Sequence, residues 1–463
     1  MDNIVNALIV TARAAQRRYE RYDQAAVDAV VTAAGWAIMH PERNRALAEM
    51  AVRDTGLGVV EDKITKNHRK TLGLLRDLKG AKSVGVIAEY PELGIVEIAR
   101  PVGVVAAITP STNPGATPAN KIINALKGRN AVIVAPSPKG AGTCAALLDF
   151  IHAELAKVGA PSGLVQMLPP PITKEATLAL MRAADLVVAT GSQANVRAAY
   201  ASGTPAFGVG AGNVASIIDT SADLADAAAS IGRSKTFDNA TSCSSENSVV
   251  ILDAVFDAAM AALAGVGGVL LDDAEKVRLQ AAMWRDGKLN PQTTAQSTAT
   301  IAALAGLERR AISGAEFLMV REDGSGPGCP FSGEKLAPVM ALYRARDFDH
   351  ACQIVADIYR YQGAGHSVGI HSADDAHILR LGLDLPVSRV IVNQIHCYAT
   401  GGSFDNGLPF SLSMGCGTWG RNNFSDNMNF RHYLNITRIS RKIPERVPAL
   451  DDIFGEYFSK YGK

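Results

Sequence analysis

A chain of 463 residues is long enough for two or three domains around a large core, and its 46 lysines and arginines against 45 aspartates and glutamates leave a net charge of +1. That balance argues against nucleic acid or another polyanion as the main partner. Six cysteines without a Cys-x-x-Cys pair support neither a disulfide framework nor a zinc site, so no metal is expected. No apolar run reaches ~18 residues without a charge, and the amino terminus has no basic stretch leading into an apolar core, so no membrane partner is expected and the cytoplasm is the expected setting.

Val5, Leu8, Ile9, Ala12 and Ala15 recur at helical spacing, with Arg13, Arg17, Arg18 and Glu20 between them. This predicts an amphipathic opening helix packed on its own domain. Helical patterning continues through residues 25–38 and 45–52. From residue 94 the texture changes to strand-like runs at 94–99, 102–108, 131–135, 164–168 and 186–189, separated by helical spacers at about 142–158 and 174–183. Ala119, Ile122, Ile123, Ala125 and Leu126 are the inward face of a further helix. Such alternation means βαβ units and a parallel sheet. A second α/β block starts near Val249, with strands at 317–320, 367–371 and 390–393 and a helix at 348–359. Residues 400–430 read as loop, and 432–439 alternates like a strand that pairs with another element or subunit.

Cys243 is the candidate nucleophile. It lies in a polar loop of small residues, 236–247, just before the apolar run 249–252, where a thiol is accessible and free of bulky neighbours, as a nucleophile must be. Cys144 and Cys352 fall on helices, and Cys329, Cys397 and Cys416 in Gly, Pro or aromatic loops; these read as structural. The loop Ile108-Thr109-Pro110-Ser111-Thr112-Asn113-Pro114 follows the first strand of the βα series, and ligands lie at such carboxyl ends. Alone, Asn113 is a turn residue. Beside a catalytic thiol, its amide and the nucleophile's backbone N–H suit an oxyanion, one such donor being worth roughly 3–4 kcal/mol. Ser137 and Lys139 sit in the next strand's loop, and Thr190-Gly191-Ser192 opens a helix whose free N–H groups suit a pyrophosphate. Residues 207–213 are glycine-rich without GxGxxG spacing, so motif spacing alone leaves a dinucleotide site weakly supported.

The segments Val59-Val60-Glu61-Asp62-Lys63, Lys66-Asn67-His68, 108–114, 235–239 before Cys243, 332–338, Gly363-Ala364-Gly365-His366-Ser367 and 413–419 are long and collinear. On them the chain resembles the aldehyde dehydrogenase superfamily, and more narrowly its coenzyme-A-acylating branch. The resemblance implies an α/β fold with a Rossmann-type parallel-sheet cofactor domain over 1–235, an α/β catalytic domain over 236–428 and an oligomerisation segment over 429–463, to which 85–100 contributes. It implies Cys243 as nucleophile and Asn113 as oxyanion amide. Glu334 then holds the nicotinamide ribose, Gly191 and Ser192 start the pyrophosphate helix, and Ser137 and Lys139 lie in the adenosine-ribose loop. Thr109, Pro110, Ser111, Thr112, Val209, Gly210 and Leu336 complete the implied cofactor site.

Three departures are informative. Gly208 stands where hydrolytic members carry the glutamate that activates water, so a thioester on Cys243 should wait for coenzyme A. Ala135 replaces a ribose-binding lysine, and Val196 a glycine. The expected course is thiol addition to an aldehyde, hydride loss, and acyl transfer from Cys243 to coenzyme A. His366 is the candidate acceptor of the coenzyme A proton, its free pKa lying near working pH; Glu246 either assists or braces the loop. The run Phe404-Asp405-Asn406-Gly407, with 412–419 after it, resembles acylating sulfoacetaldehyde dehydrogenases. A buried sulfonate needs converging donors, for which His396, Tyr398, Asn406 and Arg421 (with Asn422) are the candidates. Acetaldehyde and succinate semialdehyde are the competing substrates. NADP leads over NAD, and a homodimer or homotetramer is expected. A filament-forming or scaffold homologue is the alternative from another class; the lack of a second domain after Lys463 favours a free enzyme.

Overall fold

The computed structural model describes residues 2–463. Four helices come first: α1 (Asp2–Tyr19), α2 (Gln24–Met39), α3 (Pro41–Thr55) and α4 (Val60–Leu78). Val5, Ile9, Ala12 and Ala15 of α1 are buried, so its apolar stripe packs on its own domain as its spacing predicts. Strands β1 (Gly85–Tyr90) and β2 (Ile95–Pro101) form an antiparallel pair. The βα series then runs β3 (Val104–Thr109), α5 (Ala116–Lys127), β4 (Ala131–Pro136), α6 (Ala141–Lys157), β5 (Val165–Met167), α7 (Lys174–Ala183), β6 (Leu186–Ala189), α8 (Gln193–Tyr200) and β7 (Ala206–Gly208). These strands form a parallel sheet in the order β5-β4-β3-β6-β7. Helices cover both faces, which is why β3 and β4 are buried along their whole length and read as unbroken apolar runs. The order reverses beside β3, and there the buried Lys121 ammonium donates to the carbonyls of Ile108 and Val188 at 2.6 and 2.8 Å, tying β3 to β6.

A second parallel sheet follows. It comprises β8 (Val214–Ile218), β9 (Glu246–Leu252), β10 (Gly268–Leu270), β13 (Phe317–Arg321), β14 (Val339–Ala345), β15 (Val368–His371) and β16 (Val390–Val392), in the order β10-β13-β14-β9-β8-β15-β16; a small hairpin of β11 (Trp284–Arg285) and β12 (Lys288–Leu289) stands apart. Helix α9 (Leu224–Thr236), capped by Asp223, leads from β8 to the cysteine loop. Sheet membership therefore changes at 209–213, ahead of the boundary expected at 235, because β8 hydrogen-bonds to β9 and β15. The far boundary shifts too. Phe410, Met428, Phe430 and Tyr433 pack into the core of the first sheet, so the chain returns there before residue 428.

The terminal strand β17 (Leu434–Ser440) pairs antiparallel with β2, from Leu434 opposite Pro101 to Ser440 opposite Ile95. The two segments expected to serve oligomerisation thus form one three-stranded sheet, β1-β2-β17, with β17 largely exposed at its edge. No helix of the described residues is long and apolar enough to cross a membrane.

Candidate active site

The carboxyl ends of the first sheet's strands face the second sheet across a cleft of about 890 Å³. Its wall is built from residues 108–113, 135–138, 172–174, 190–195 and 209–212, the segments that follow β3 to β7, and from Thr241, Ser242, Cys243, Glu334, Leu336, Gln362 and His366 opposite. One loop after each parallel strand reaches the same crevice, the arrangement that open α/β sheets use for nucleotides. Every residue expected in the cofactor site lines this cleft except Lys139, which lies exposed in the turn after β4. The sequence places a cation in the right loop, but Pro138 turns it outward. Lys174, at the start of α7, lines the cleft in its stead. Nothing in the sequence marks it apart from its place after β5.

A nicotinamide dinucleotide fits these residues. The carboxylate of Glu334 makes no hydrogen bond among the described residues and borders the cleft, while its backbone N–H donates to Gln362 Oε1 at 3.2 Å. Burial pushes its carboxyl up to about 8 against the pull of Lys235 and Lys335. An acceptor so placed suits ribose hydroxyls. Ser192 caps α8, its hydroxyl accepting from Asn195 N–H at 3.3 Å, and sets the helix terminus at the cleft wall.

The nucleophile loop is held from α4. Asp238, Asn239 and Ala240 take left-handed backbone conformations (φ 53°, 50° and 56°), which non-glycine residues keep only under strong local restraint. The buried Asp238 carboxylate supplies it. It accepts from Val59 N–H (2.8 Å), Lys63 Nζ (3.1 Å), Lys66 Nζ (2.5 Å) and Thr241 Oγ1 (2.6 Å), while Asp62 accepts from Asp238 N–H at 2.7 Å. Burial alone would raise the Asp238 carboxyl; the Lys66 and Lys63 ammoniums outweigh it and hold it below the usual range. This explains why the 59–67 and 235–239 segments belong to one signature: they are two halves of one polar cluster. Gly212 is needed beside it, since a Cβ there would lie 2.3 Å from the Cys243 carbonyl oxygen.

Lys66 Nζ also donates to Asn113 Oδ1 at 2.9 Å. That bond fixes which end of the amide is which and leaves its N–H donors toward the cleft, with one long contact to Thr112 Oγ1 at 3.5 Å. The Cys243 N–H has no acceptor elsewhere in the described chain, so both expected oxyanion donors are free to face a ligand. Cys243 Sγ lies 3.5 Å from His366 Nε2, and His366 Nδ1 lies 2.8 Å from Ser367 Oγ. Arg389 Nη1 holds this loop by donating to the carbonyls of His366 (3.1 Å) and Gly415 (2.9 Å), joining two more of the collinear segments.

The electrostatics alter one expectation. Burial first, then the charges of Arg389 and His396, pull the His366 imidazole down to about 3, so it is neutral at working pH and a weak base. Burial pushes the Cys243 thiol up to about 12, with Glu334 and Cys416 adding to the rise. A raised thiol pKa means that thiolate is scarce at neutral pH and grows as pH rises. Alkylation of Cys243 by iodoacetamide in the cofactor-free protein should therefore gain about tenfold per pH unit from pH 7 to 10, whereas an ordinary thiol levels off near ~8.5. A plateau below pH 9 would contradict it.

The expected sulfonate donors fare less well. His396 is buried, with Nδ1 2.9 Å from the Ser244 carbonyl and the Thr400 hydroxyl, and it lines neither the cleft nor the recess beside it. Asn406 braces its own turn by bonds to Gln394 Oε1, the Ala399 carbonyl and the Ser403 and Leu408 N–H groups. Arg421 is exposed in a left-handed turn. Asn422 accepts from the Gly210 and Cys416 N–H groups. Only Tyr398 borders the recess behind the cysteine loop, where Lys66, Arg69 and Lys70 of α4 join it. Those three residues recur at i, i+3 and i+4, a helical signal in the sequence that was readable but unassigned. Glu246 opens β9 fully buried and outside the cleft wall, its carboxyl raised to about 7 chiefly by burial, and its backbone carbonyl accepts from Lys235 Nζ at 2.7 Å.

Residues 2–326 match the model of the aldehyde dehydrogenase family, and the chain belongs to that family. It is an enzyme of the acylating kind by its likeness. It is 68% identical over 460 residues to a sulfoacetaldehyde dehydrogenase (acylating) of Cupriavidus necator, covering 99% of this chain and 93% of that protein. It is 42% identical to a sulfoacetaldehyde dehydrogenase (acylating) of Bilophila wadsworthia, covering 98% of each. Among solved structures, an acetylating aldehyde dehydrogenase of Geobacillus thermoglucosidasius superposes with a TM-score of 0.92 at 35% identity, covering 96% of this chain and 98% of that one.

Proposed function

We propose that this protein oxidises sulfoacetaldehyde with coenzyme A and NADP to sulfoacetyl-coenzyme A, as a homodimer or homotetramer in the cytoplasm. The observation that carries the acylating half is the closure around Gly208. A Cβ there would lie 2.6 Å from Val196 Cγ1 and 2.9 Å from the Tyr200 ring, and the Tyr200 hydroxyl donates to the Gly208 carbonyl (3.2 Å) and accepts from its N–H (3.0 Å). Val196 and Tyr200 thus occupy the space that a water-activating glutamate at this position needs. Glu334 is the single carboxylate in the cleft wall, and its place suits the ribose. With no base dedicated to water, the thioester persists until a better nucleophile arrives.

In this reading the Cys243 thiol gives up its proton to solvent, the thiolate attacks the aldehyde carbon, and Asn113 Nδ2 and the Cys243 N–H receive the oxyanion. A nicotinamide held with its ribose at Glu334 would supply the acceptor for the hydride of the thiohemiacetal carbon. Cys243 then holds the acyl group as a thioester and is released when the coenzyme A sulfur takes it. His366, neutral and 3.5 Å from Sγ, hydrogen-bonds the sulfur and steers it. Its depressed pKa disfavours proton storage there, so the coenzyme A proton passes to solvent at the cleft mouth. The sulfonate substrate is carried by the likeness to the Cupriavidus necator protein. NADP is preferred because Ser137 and Lys174 line the far end of the cleft, where a hydroxyl and an ammonium would meet a 2′-phosphate. The exposed edge of β17 and the exposed Leu450, Ile453 and Tyr457 of the terminal helix are the surfaces this reading pairs between copies.

Cofactor reduction should be followed with sulfoacetaldehyde, with and without coenzyme A, and with NADP against NAD. Steady turnover is expected only with coenzyme A, and faster with NADP. Steady turnover without coenzyme A would sink the acylating reading; turnover confined to acetaldehyde or succinate semialdehyde would keep the chemistry and discard the substrate.

A further inference from the structure

The recess behind the cysteine loop shares Asn113, Ser242, Leu412 and Met414 with the cleft, so a group bound there reaches the carbon that Cys243 attacks. No acidic side chain lines it, and α4 gives it three cations. They are not equivalent. An ammonium has three donors and a guanidinium five. Those of Lys66 meet Asn113 Oδ1, Asp238 Oδ2 and Thr241 Oγ1 at 2.9, 2.5 and 3.1 Å. Those of Lys70 meet the carbonyls of Tyr398, Gly401 and Gly402 at 3.1, 3.0 and 3.0 Å. Both amines are saturated, one by a carboxylate and one by neutral carbonyls, and burial pulls Lys70 down to about 7 so that its charge is only partial at neutral pH.

Arg69 has donors to spare. Its one hydrogen bond among the described residues is long, Nη2 to Ser403 Oγ at 3.4 Å, and it has no carboxylate partner there. Its guanidinium lies 5.0 and 5.3 Å from the ring centroids of Tyr398 and Phe404, which fix its plane without using its N–H groups. A planar fork held in place with free donors, in a recess of net positive field, is built for a tetrahedral or planar oxyanion.

We propose that Arg69 binds the anionic head group of the substrate, a sulfonate one carbon from the aldehyde, and so sets the preference for anionic over uncharged short aldehydes. This rests on the function proposed above. The selectivity ratio, kcat/KM for sulfoacetaldehyde over that for acetaldehyde, should fall about 100-fold in Arg69→Met and about tenfold in Arg69→Lys, which keeps the charge and loses the fork. Thermal melting and active-site titration with iodoacetamide identify folded variants. A ratio within twofold of the parent in a folded variant overturns the proposal. A parent inactive on sulfoacetaldehyde would refute the proposed substrate while leaving Arg69 open to a second test, protection of Cys243 from iodoacetamide by ethanesulfonate. Protection of the parent that Arg69→Met loses supports the site; equal protection of both, or none of the parent, refutes it.

Discussion

Cys243→Ala should abolish aldehyde oxidation, lowering kcat by at least about 10⁴-fold, because in the proposed mechanism each covalent stage runs through that sulfur and no other thiol lines the cleft. Cys144, Cys352, Cys397 and Cys416 are buried, and none of the six cysteines except Cys243 borders the cleft. The cleft therefore offers the proposed chemistry a single thiol. Mass spectrometry checks it independently of turnover: the acyl-coenzyme A product should transfer its acyl group to the peptide carrying Cys243 in the parent and to no peptide in the variant. An adduct on another cysteine, or residual turnover near the parent rate, would refute the assignment.

Asn113→Ala should cost about a hundred- to a thousandfold in kcat with a much smaller change in KM, since the amide's N–H matters only once charge develops on the former carbonyl oxygen. Lys66 acts through it. Its ammonium points the amide oxygen away from the cleft, at 2.9 Å, and is itself anchored by Asp238. Lys66→Met should lower kcat by about tenfold and also reduce the melting temperature, because Asp238 keeps only Lys63 as a cationic partner. In the double variant the losses should not add. Once Asn113 is gone, Lys66 keeps only its bonds to Asp238 and Thr241 in the cysteine loop, so the part of its effect that runs through the amide disappears and the double variant should lose clearly less than the product of the two single losses. Full additivity would show that Lys66 acts through the Asp238 loop and not through the Asn113 amide.

Much of this was legible in the chain itself. Periodicity found the alternating strands and helices of both α/β blocks, because β3 and β4 are apolar along nearly their whole length, β9 carries the apolar run 249–252, and the spacers between them keep a helical repeat. The small polar loop singled out Cys243, and the position of Asn113 after a strand end is a direct consequence of where parallel sheets put their ligands. The alternation at 432–439 gave a strand, and tertiary structure supplied β2 as its partner.

What local sequence does not encode is the direction of a side chain on a turn and the company it keeps across the fold. Lys139 and Arg421 have the right chemistry in the right loops and point to solvent. His396 and Asn406 are consumed by local hydrogen bonds. Lys66, Arg69 and Lys70, some 170 residues before Cys243 in sequence, reach its loop because α4 packs there, tied to it where Lys63 and Lys66 bind Asp238. The sequence by itself determined which residue types react and on which elements they sit, since those follow from spacing of one, two or four residues. Which charges are neutralised, which donors stay free and how far burial moves the Cys243 and His366 pKa values were decided by tertiary packing alone, because desolvation and pairing depend on neighbours brought together only when the two sheets close on each other.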